Sequence, residues 1–285
     1  MPGRITMTSV APIRYCICNE TFADWPLAKA CDFAAECGYT GLEVAPFTLA
    51  ALATDIDAST RGEIARTIAR AGLDCVGLHW LLAKTEGFHV ADPDPDVRRR
   101  TVDYLAALAR LCRDLGGRVL VFGSPKQRSL KPGVTQAQAI DHIAGVFGRL
   151  VPVLEATDTV VALEPLAPSE TDVLTTAAET CRLIDRIGSP HVRLHLDVKA
   201  MSSEVPAIPD IIRASARHLE HFHANDENLQ GPGFGGVDFA PIFAALAEVC
   251  YAGWVSVEVF DYAPGPERLA RESLSYMRRV EADLG

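Results

Sequence analysis

Four side chains of the kind that bind divalent cations stand at the ends of four apolar segments in the second half of the chain. Glu164 ends VVALE, Asp197 ends VRLHLD, His223 lies in EHFHA and Glu258 lies in WVSVEV. Three carboxylates and one imidazole form an oxygen-rich ligand set that suits cations such as Mn²⁺, Mg²⁺ or Co²⁺. The sequence therefore predicts a metal centre at the point where these four segments converge.

Any one of these residues has a simpler explanation, because acids at strand ends often cap helices or form salt bridges. Four such residues at equivalent positions are harder to explain by packing alone. A buried cluster of carboxylates without a cation would suffer strong like-charge repulsion. We therefore favour one divalent cation shared by all four side chains.

The four segments belong to a longer pattern in which short apolar runs alternate with helical periodicity. The runs predict eight strands, at residues 14–18, 41–45, 75–80, 118–123, 159–164, 192–197, 219–224 and 254–259. Between them, apolar residues spaced three and four apart predict eight helices, over 26–37, 61–71, 96–115, 136–155, 172–187, 210–216, 239–249 and 266–282. Five glycines are placed to end helices: Gly38, Gly72, Gly116, Gly188 and Gly253.

Eight strand–helix units in 285 residues predict a single (β/α)₈ TIM barrel that spans residues 1–285, with residues 1–12 as a flexible lead-in. A doubly wound open sheet is the alternative. It would need a glycine-rich fingerprint after the first strand, and CNETFADW has none. The longer connections, at 82–96, 125–135, 201–209 and 226–238, follow predicted strands and so lie at the mouth where barrel active sites are built.

The composition favours an enzyme that acts on a small molecule. The net charge of −10 disfavours a nucleic-acid partner, which normally requires a basic face. No apolar run reaches the roughly 18 residues that span a bilayer. The first residues contain no apolar signal core, which predicts a cytoplasmic protein. Eight cysteines without a CxxC pair predict free, buried thiols, and a homo-oligomer is compatible with the sequence.

The motifs along the barrel resemble those of the xylose-isomerase-like sugar isomerase and epimerase superfamily. The resemblance runs from GYTGLEV through LVFGSPKQR, ALEPLAPSE, LHLDVKAM and HFHANDEN to WVSVEVF. This superfamily includes ketose 3-epimerases, hydroxypyruvate isomerases, inosose dehydratases and endonuclease IV. The order and spacing of the motifs are specific to the superfamily rather than to one substrate.

The resemblance implies roles for individual residues. Glu164, Asp197, His223 and Glu258 would bind one divalent cation, Mn²⁺ foremost, with Mg²⁺, Co²⁺ or Zn²⁺ as alternatives. Glu164 and Glu258 would also be the catalytic acid–base pair on opposite faces of a sugar-like substrate, moving a proton through a metal-stabilised enediolate. Glu170, six residues after Glu164, matches an epimerase glutamate that contacts the substrate near the reacting carbon.

Two departures from the ketose epimerases concern substrate recognition. Those enzymes have a substrate-binding histidine three residues after the metal-binding aspartate, where this chain has Ala200. They have an arginine six residues after the metal-binding histidine, where this chain has Leu229. Endonuclease IV needs further histidines, which are lacking at Ala200 and at Asp238–Phe239, so DNA repair is excluded.

Further candidates surround the predicted mouth. His79 and His89 could contact substrate or transfer protons, although isolated histidines are more often structural. Lys126 and Arg128 flank Gln127 in a cluster that suits a carboxylate, phosphate or hydroxyl array, or a solvated surface. The other substrate-binding candidates are Lys199, His195 and His221, and Trp25 and Trp80 could form an apolar wall over a sugar ring or pack in the core.

The sequence predicts a divalent-metal-dependent isomerase or epimerase of a sugar or related polyhydroxy carbonyl compound. The alternative is a metal-dependent dehydratase or lyase acting on a keto-sugar, keto-inositol or oxidised glycoside. The missing histidine and arginine strengthen that alternative and argue against a plain ketose 3-epimerase, although the isomerase or epimerase remains the leading hypothesis. A third hypothesis, a degenerate barrel that only binds a sugar or a partner, is disfavoured because the four metal-binding residues are intact.

Overall fold

Eight parallel strands close into a barrel in the computed structural model, which describes residues 13–22 and 24–284. Strand β1 pairs with both β2 and β8, so the sheet has no free edge. The strands are β1 Arg14–Cys18, β2 Gly41–Val44, β3 Asp74–Leu78, β4 Val119–Phe122, β5 Val160–Leu163, β6 Val192–Asp197, β7 Leu219–Ala224 and β8 Trp254–Val257. The predicted lead-in at residues 1–12 lies outside the described residues.

Helices follow the strands and surround the barrel. They are α1 Leu27–Cys37, α2 Ala58–Arg70, α3 Pro95–Asp114, α4 Gln136–Thr157, α5 Ala177–Ile187, α6 Val198–Met201, α7 Ile208–Ser215, α8 Ala240–Glu248 and α9 Pro266–Leu284. The prediction of a single (β/α)₈ TIM barrel is confirmed, and the closed sheet rules out the doubly wound alternative. In the described part of the chain, no helix combines the length and hydropathy needed to cross a bilayer.

Local sequence signals explain where several helices begin and end. The Thr135 hydroxyl and the Gln138 side chain form a reciprocal capping box at the start of α4. Gly38 and Gly188 end α1 and α5 in the left-handed conformation, as predicted. The prediction for Gly253 is wrong, because α8 already ends at Glu248 and Cys250 takes the positive φ of 54°.

The strand bounds decide where the polar residues emerge. Strands β1, β6 and β7 match their predicted bounds, whereas β5 and β8 end one or two residues earlier than predicted. Glu164 and Glu258 are therefore the first residues after β5 and β8, at the carboxyl end of the barrel. Across β6 and β7, Asp197 pairs in register with His223. Closure of the barrel thus brings the four predicted metal-binding residues to one end.

The backbone of β4 lies close to Gly77 of β3. A Cβ atom there would lie 1.9 Å from the carbonyl oxygen of Val119, a contact that only strand separation could relieve. In contrast, Gly145 is an exposed residue of α4, and a Cβ atom there would meet no neighbour within 4 Å. Packing therefore requires a glycine at position 77, whereas it leaves room for a side chain at position 145.

We predict that Gly77→Ala lowers the free energy of unfolding by about 3 kcal/mol, because it overpacks two paired strands. The control Gly145→Ala should raise it by about 1 kcal/mol, because alanine favours the helix. Urea denaturation followed by circular dichroism measures both. Equal denaturation midpoints for the two variants would show that β3 and β4 are not packed as described.

Candidate active site

The four predicted metal-binding residues are buried at the carboxyl end of the barrel. Glu164 and Glu258 follow β5 and β8 directly, Asp197 ends β6, and His223 is the penultimate residue of β7. They are close enough to influence one another electrostatically. Burial, together with Asp197 and Glu258, holds the pKa of Glu164 well above its usual range. Burial and Glu258 likewise raise the pKa of Asp197 to about 6.

Glu258 is held between an indole and an imidazole. Its Oε1 accepts a hydrogen bond of 2.6 Å from Nε1 of Trp80, and its Oε2 lies 3.0 Å from Nδ1 of His223. Burial opposes ionisation of Glu258, but the neighbouring His223 outweighs it and lowers the pKa of the carboxyl group. Burial likewise opposes protonation of His223, yet Glu43 and Glu258 raise its pKa well above the usual range.

Asp197 is fixed by two hydrogen bonds at the start of α6. Its Oδ1 accepts the backbone N–H of Ala200 at 2.8 Å, and its Oδ2 accepts the side-chain amide of Asn225 at 2.5 Å. Asp197 is therefore a helix N-cap as well as a candidate ligand, so the simpler explanation also holds in part for this residue.

Glu164 lies beside Gly123 through its side chain and contacts Arg128 through its backbone carbonyl. A Cβ atom on Gly123 would lie 1.6 Å from Oε2 of Glu164, so only glycine leaves room for this carboxylate. The buried Arg128 donates a hydrogen bond of 2.6 Å from Nη1 to the backbone carbonyl of Glu164. Strand β4 and the turn that follows it thus set both the side-chain and the backbone position of Glu164.

The donor set fits a divalent cation. Three carboxylates and one imidazole are buried near one another, and burial and mutual repulsion raise the pKa values of Glu164 and Asp197, a repulsion that a cation would relieve. His195 adds a ring nitrogen that lies within 4.8 Å of carboxylate oxygens of Glu164 and Asp197. Within residues 13–22 and 24–284, neither nitrogen of His195 has a hydrogen-bond partner.

A cavity of about 310 Å³ opens above this cluster, and both Glu164 and Glu258 line it. Its aromatic wall is formed by Trp80 and Phe260, whose rings are stacked with centroids 6.1 Å apart. Lys199 and Glu170 also line the cavity, where Nζ of Lys199 donates a hydrogen bond of 2.8 Å to Oε1 of Glu170. The cavity therefore combines an apolar face for a ring with polar groups for hydroxyls.

The structure brings three of the predicted substrate-binding residues to the cavity wall, and these are Glu170, Lys126 and Lys199. Trp80 also lies there, whereas Trp25 packs against Phe22 and Phe33.

Three of the predicted histidines lie elsewhere, inside the barrel. His79 is buried with Nε2 2.7 Å from Oε2 of Glu20, and Nε2 of His221 lies 2.8 Å from Oε2 of Glu43. His195 packs against His221 and His223.

The predictions for His89 and Arg128 require a correction. Among the described residues that line the cavity, neither of these two is present. His89 is buried in the connection after β3, where its Nδ1 accepts the backbone N–H of Ala91 at 3.1 Å. Burial and Lys131 lower the pKa of His89 to about 4. Arg128 is completely buried and bonds to backbone. In this structure both residues contact neighbouring parts of the chain instead of the cavity.

Two buried carboxylates were missed by sequence reasoning. Glu43 lies in β2 between Leu42 and Val44, and Glu20 is the second residue after β1. The sequence signal for Glu43 was a charged residue within the apolar strand GLEV. A charged side chain is costly to bury in a barrel interior unless it has polar partners.

Comparison with known proteins agrees with this geometry. A family model described as a xylose isomerase-like TIM barrel matches residues 31–280. The chain belongs to this family.

Two curated relatives are epimerases. An L-ribulose 3-epimerase of Mesorhizobium japonicum is 28% identical over 222 residues, which cover 78% of this chain and 73% of the relative. A 3-dehydro-D-guloside 4-epimerase of Escherichia coli is 29% identical over 151 residues, which cover 52% of this chain and 58% of the relative. The predicted superfamily is confirmed, and so is the prediction of an enzyme of the isomerase and epimerase class.

A solved structure shows the same fold. It is a D-psicose 3-epimerase from Clostridium cellulolyticum with D-tagatose, and it superposes with a TM-score of 0.82 at 19% identity. The match covers 94% of this chain and 99% of that one. The barrel is thus shared over nearly its whole length, although the sequences have diverged widely.

We predict that Arg128→Ala lowers the free energy of unfolding by about 3 kcal/mol, because it leaves a cavity and a buried carbonyl without its donor. The control Lys126→Ala, two residues earlier on the exposed side of the same turn, should change it by less than about 0.5 kcal/mol. Urea denaturation compares the two. Equal stability of both variants would return Arg128 to the role of a substrate-binding residue.

Proposed function

We propose that this chain is a divalent-cation-dependent epimerase of a sugar or related polyhydroxy carbonyl compound. The observation that carries the proposal is that two buried glutamates, Glu164 and Glu258, line one cavity at the end of the barrel where Asp197 and His223 also lie. The relatives named above, both epimerases of carbonyl sugars by name, support the same chemistry.

Glu164, Asp197, His223 and Glu258 would hold the cation, with Mn²⁺ as the expected ion. When bound there, the cation would supply Lewis-acid polarisation of the substrate carbonyl and make the neighbouring carbon-bound proton more acidic. The remaining chemistry falls to the residues of the chain.

The two glutamates are placed for proton transfer from different sides. They follow β5 and β8, which β6 and β7 separate around the rim of the barrel. One carboxylate removes the proton next to the carbonyl, and the other returns a proton to the opposite face, which inverts the carbon. The hydrogen bond from Trp80 holds Glu258 in place during this exchange. Because Glu164 and Glu258 are buried, they also exclude water from the reacting carbon.

The cavity wall orients the substrate. Trp80 and Phe260 offer an apolar face to the C–H side of a sugar ring, and Lys199 and Glu170 offer a donor and an acceptor to its hydroxyls. Nζ of Lys199 also lies 4.2 Å from the centroid of the Phe260 ring, which fixes the ammonium group against the aromatic wall. These contacts replace those that the ketose epimerases make at the positions of Ala200 and Leu229.

The proposal is tested by incubating the enzyme with keto-sugars in D₂O. We expect a product of the inverted configuration that carries one deuterium beside the carbonyl, detected by NMR and mass spectrometry. Chelation with EDTA should abolish the reaction, and Mn²⁺ should restore it. Loss of water or of an aglycone would instead identify a dehydratase or lyase, and activity that survives chelation would contradict the metal centre.

Glu258→Gln should lower kcat by about 10²- to 10⁴-fold, because it removes a candidate base from the cavity. Its Mn²⁺ affinity should fall less than that of Asp197→Ala, because an amide oxygen can still coordinate weakly. The exposed Glu267→Gln serves as the control and should change neither quantity. Near wild-type turnover in Glu258→Gln would exclude Glu258 from proton transfer.

We predict that free fructose, psicose and tagatose are poor substrates, with kcat/KM below about 10⁴ M⁻¹s⁻¹. Substrates that carry an added ring, carboxylate or other substituent should be better, because Lys84 and Lys126 extend the cavity wall beyond the reacting centre. Lys126→Ala should lower kcat/KM for such extended substrates and leave it unchanged for a bare ketohexose. Efficient epimerisation of a free ketohexose would contradict this substrate class.

A further inference from the structure

Glu43 is a completely buried carboxylate shared by two histidines of β7. Its Oε2 lies 2.8 Å from Nε2 of His221 and 3.0 Å from Nε2 of His223, and its Oε1 lies 3.2 Å from Nε2 of His223. No cavity residue touches Glu43 in these contacts, so the proposed reaction does not use it directly. Glu43 nevertheless contacts the candidate ligand His223, which gives this buried carboxylate a possible role at the metal centre.

The contacts of Glu43 decide which nitrogen of His223 carries hydrogen. An ionised carboxylate has no hydrogen to donate, so Glu43 accepts from both ring nitrogens. Nε2 of His223 therefore carries a hydrogen that it donates to Glu43. The other nitrogen, Nδ1, lies 3.0 Å from Oε2 of Glu258 in the candidate ligand set, so a hydrogen there is the one that a bound cation would replace.

We propose that Glu43 is a positioning residue that fixes the Nε2–H tautomer of His223 and presents Nδ1 to the cation. This inference rests on the metal centre of the proposed function. Histidines that bind metals generally donate their other ring N–H to a carboxylate or carbonyl, which sets both the tautomer and the orientation of the ring. Here a carboxylate from β2 does this for a ligand on β7, across the interior of the barrel.

The surrounding residues hold both partners of this contact. The strand register between β2 and β3 shifts between Leu42 and Glu43, an irregularity of the kind that redirects a side chain. On the other side, the ring of His195 packs edge-on against His223, with centroids 4.1 Å apart. His223 therefore cannot turn over to exchange its two nitrogens without displacing His195.

A second buried carboxylate provides a matched control. Oε2 of Glu20 lies 2.7 Å from Nε2 of His79, so Glu20 makes the same kind of contact as Glu43 but with a different histidine. Glu20 and Glu43 are both buried in the same network and differ in whether they touch His223. The substitution to glutamine is the same chemical change at both positions.

The experiment measures the binding of Mn²⁺ alone by isothermal titration calorimetry. A glutamine at position 43 loses the negative charge and puts an N–H donor in place of one accepting oxygen, so it holds the N–H groups of His221 and His223 more weakly than the carboxylate does. We expect Glu43→Gln to weaken Mn²⁺ binding by about 10- to 100-fold. Glu20→Gln should stay within about threefold of the wild-type protein.

A second measurement needs no variant at position 43. In wild-type protein loaded with diamagnetic Zn²⁺, long-range ¹H–¹⁵N NMR spectra report which nitrogen of each histidine carries hydrogen. The spectrum of His223→Gln identifies the resonance of His223. We expect hydrogen on Nε2 of His223 and the metal on Nδ1, and the opposite arrangement would overturn the proposal even if Glu43→Gln failed to fold.

The outcomes separate this inference from the proposed function. If the wild-type protein binds no Mn²⁺, both the metal centre and the role of Glu43 are overturned. If the wild-type protein binds Mn²⁺ and Glu43→Gln binds it equally well, only the role of Glu43 is overturned. Equal losses of Mn²⁺ affinity in Glu43→Gln and Glu20→Gln would show a general disturbance of the buried network. That result would also overturn the role of Glu43.

Discussion

Repulsion among buried carboxylates is the constraint on which the interior of this barrel depends. Glu164, Asp197 and Glu258 meet where water cannot screen them, and the raised pKa values of Glu164 and Asp197 reflect that proximity. Either protonation of some of the acids or positive charge among them relieves this repulsion. Imidazoles supply positive charge on one side, and a divalent cation would supply it in the centre. The same repulsion that makes the cluster costly to bury would favour the binding of a cation.

Barrel closure turns separate strand ends into this cluster. Each of the four candidate ligands belongs to a different strand, and the in-register pair of Asp197 and His223 sets their height. Below them, Glu43 reaches His221 and His223 from the far side of the barrel. The interior is thus layered, with carboxylates at the mouth, imidazoles beneath them and a further carboxylate behind the imidazoles. His223 contacts Glu258 on one side and Glu43 on the other, so a change at Glu43 would reach a candidate ligand.

The sequence predicted the barrel and its mouth well because both depend on repeated local patterns. Alternation of apolar runs and helical periodicity located every strand to within two residues, and the acids at strand ends marked the rim. The interior contacts were harder to predict. Nothing local in GLEV indicates that Glu43 meets two histidines almost 180 residues away, and nothing in KQR indicates that Arg128 is buried while Lys126 is exposed. Those facts are set by strand order and by the turn after β4, which are properties of the closed fold.

The arrangement around α6 explains how substrate choice can diverge while proton chemistry persists. Asp197 is fixed by the backbone N–H of Ala200, at the position where ketose epimerases have a substrate-binding histidine. Because the backbone makes this bond, the side chain at position 200 can change without moving the candidate ligand. The neighbouring Lys199 then brings a positive charge to the cavity wall, where it pairs with Glu170. The ligand set lies at the ends of the strands, whereas Lys199 lies in a short helix beyond them, so evolution can alter recognition at the wall without dismantling the centre beneath it.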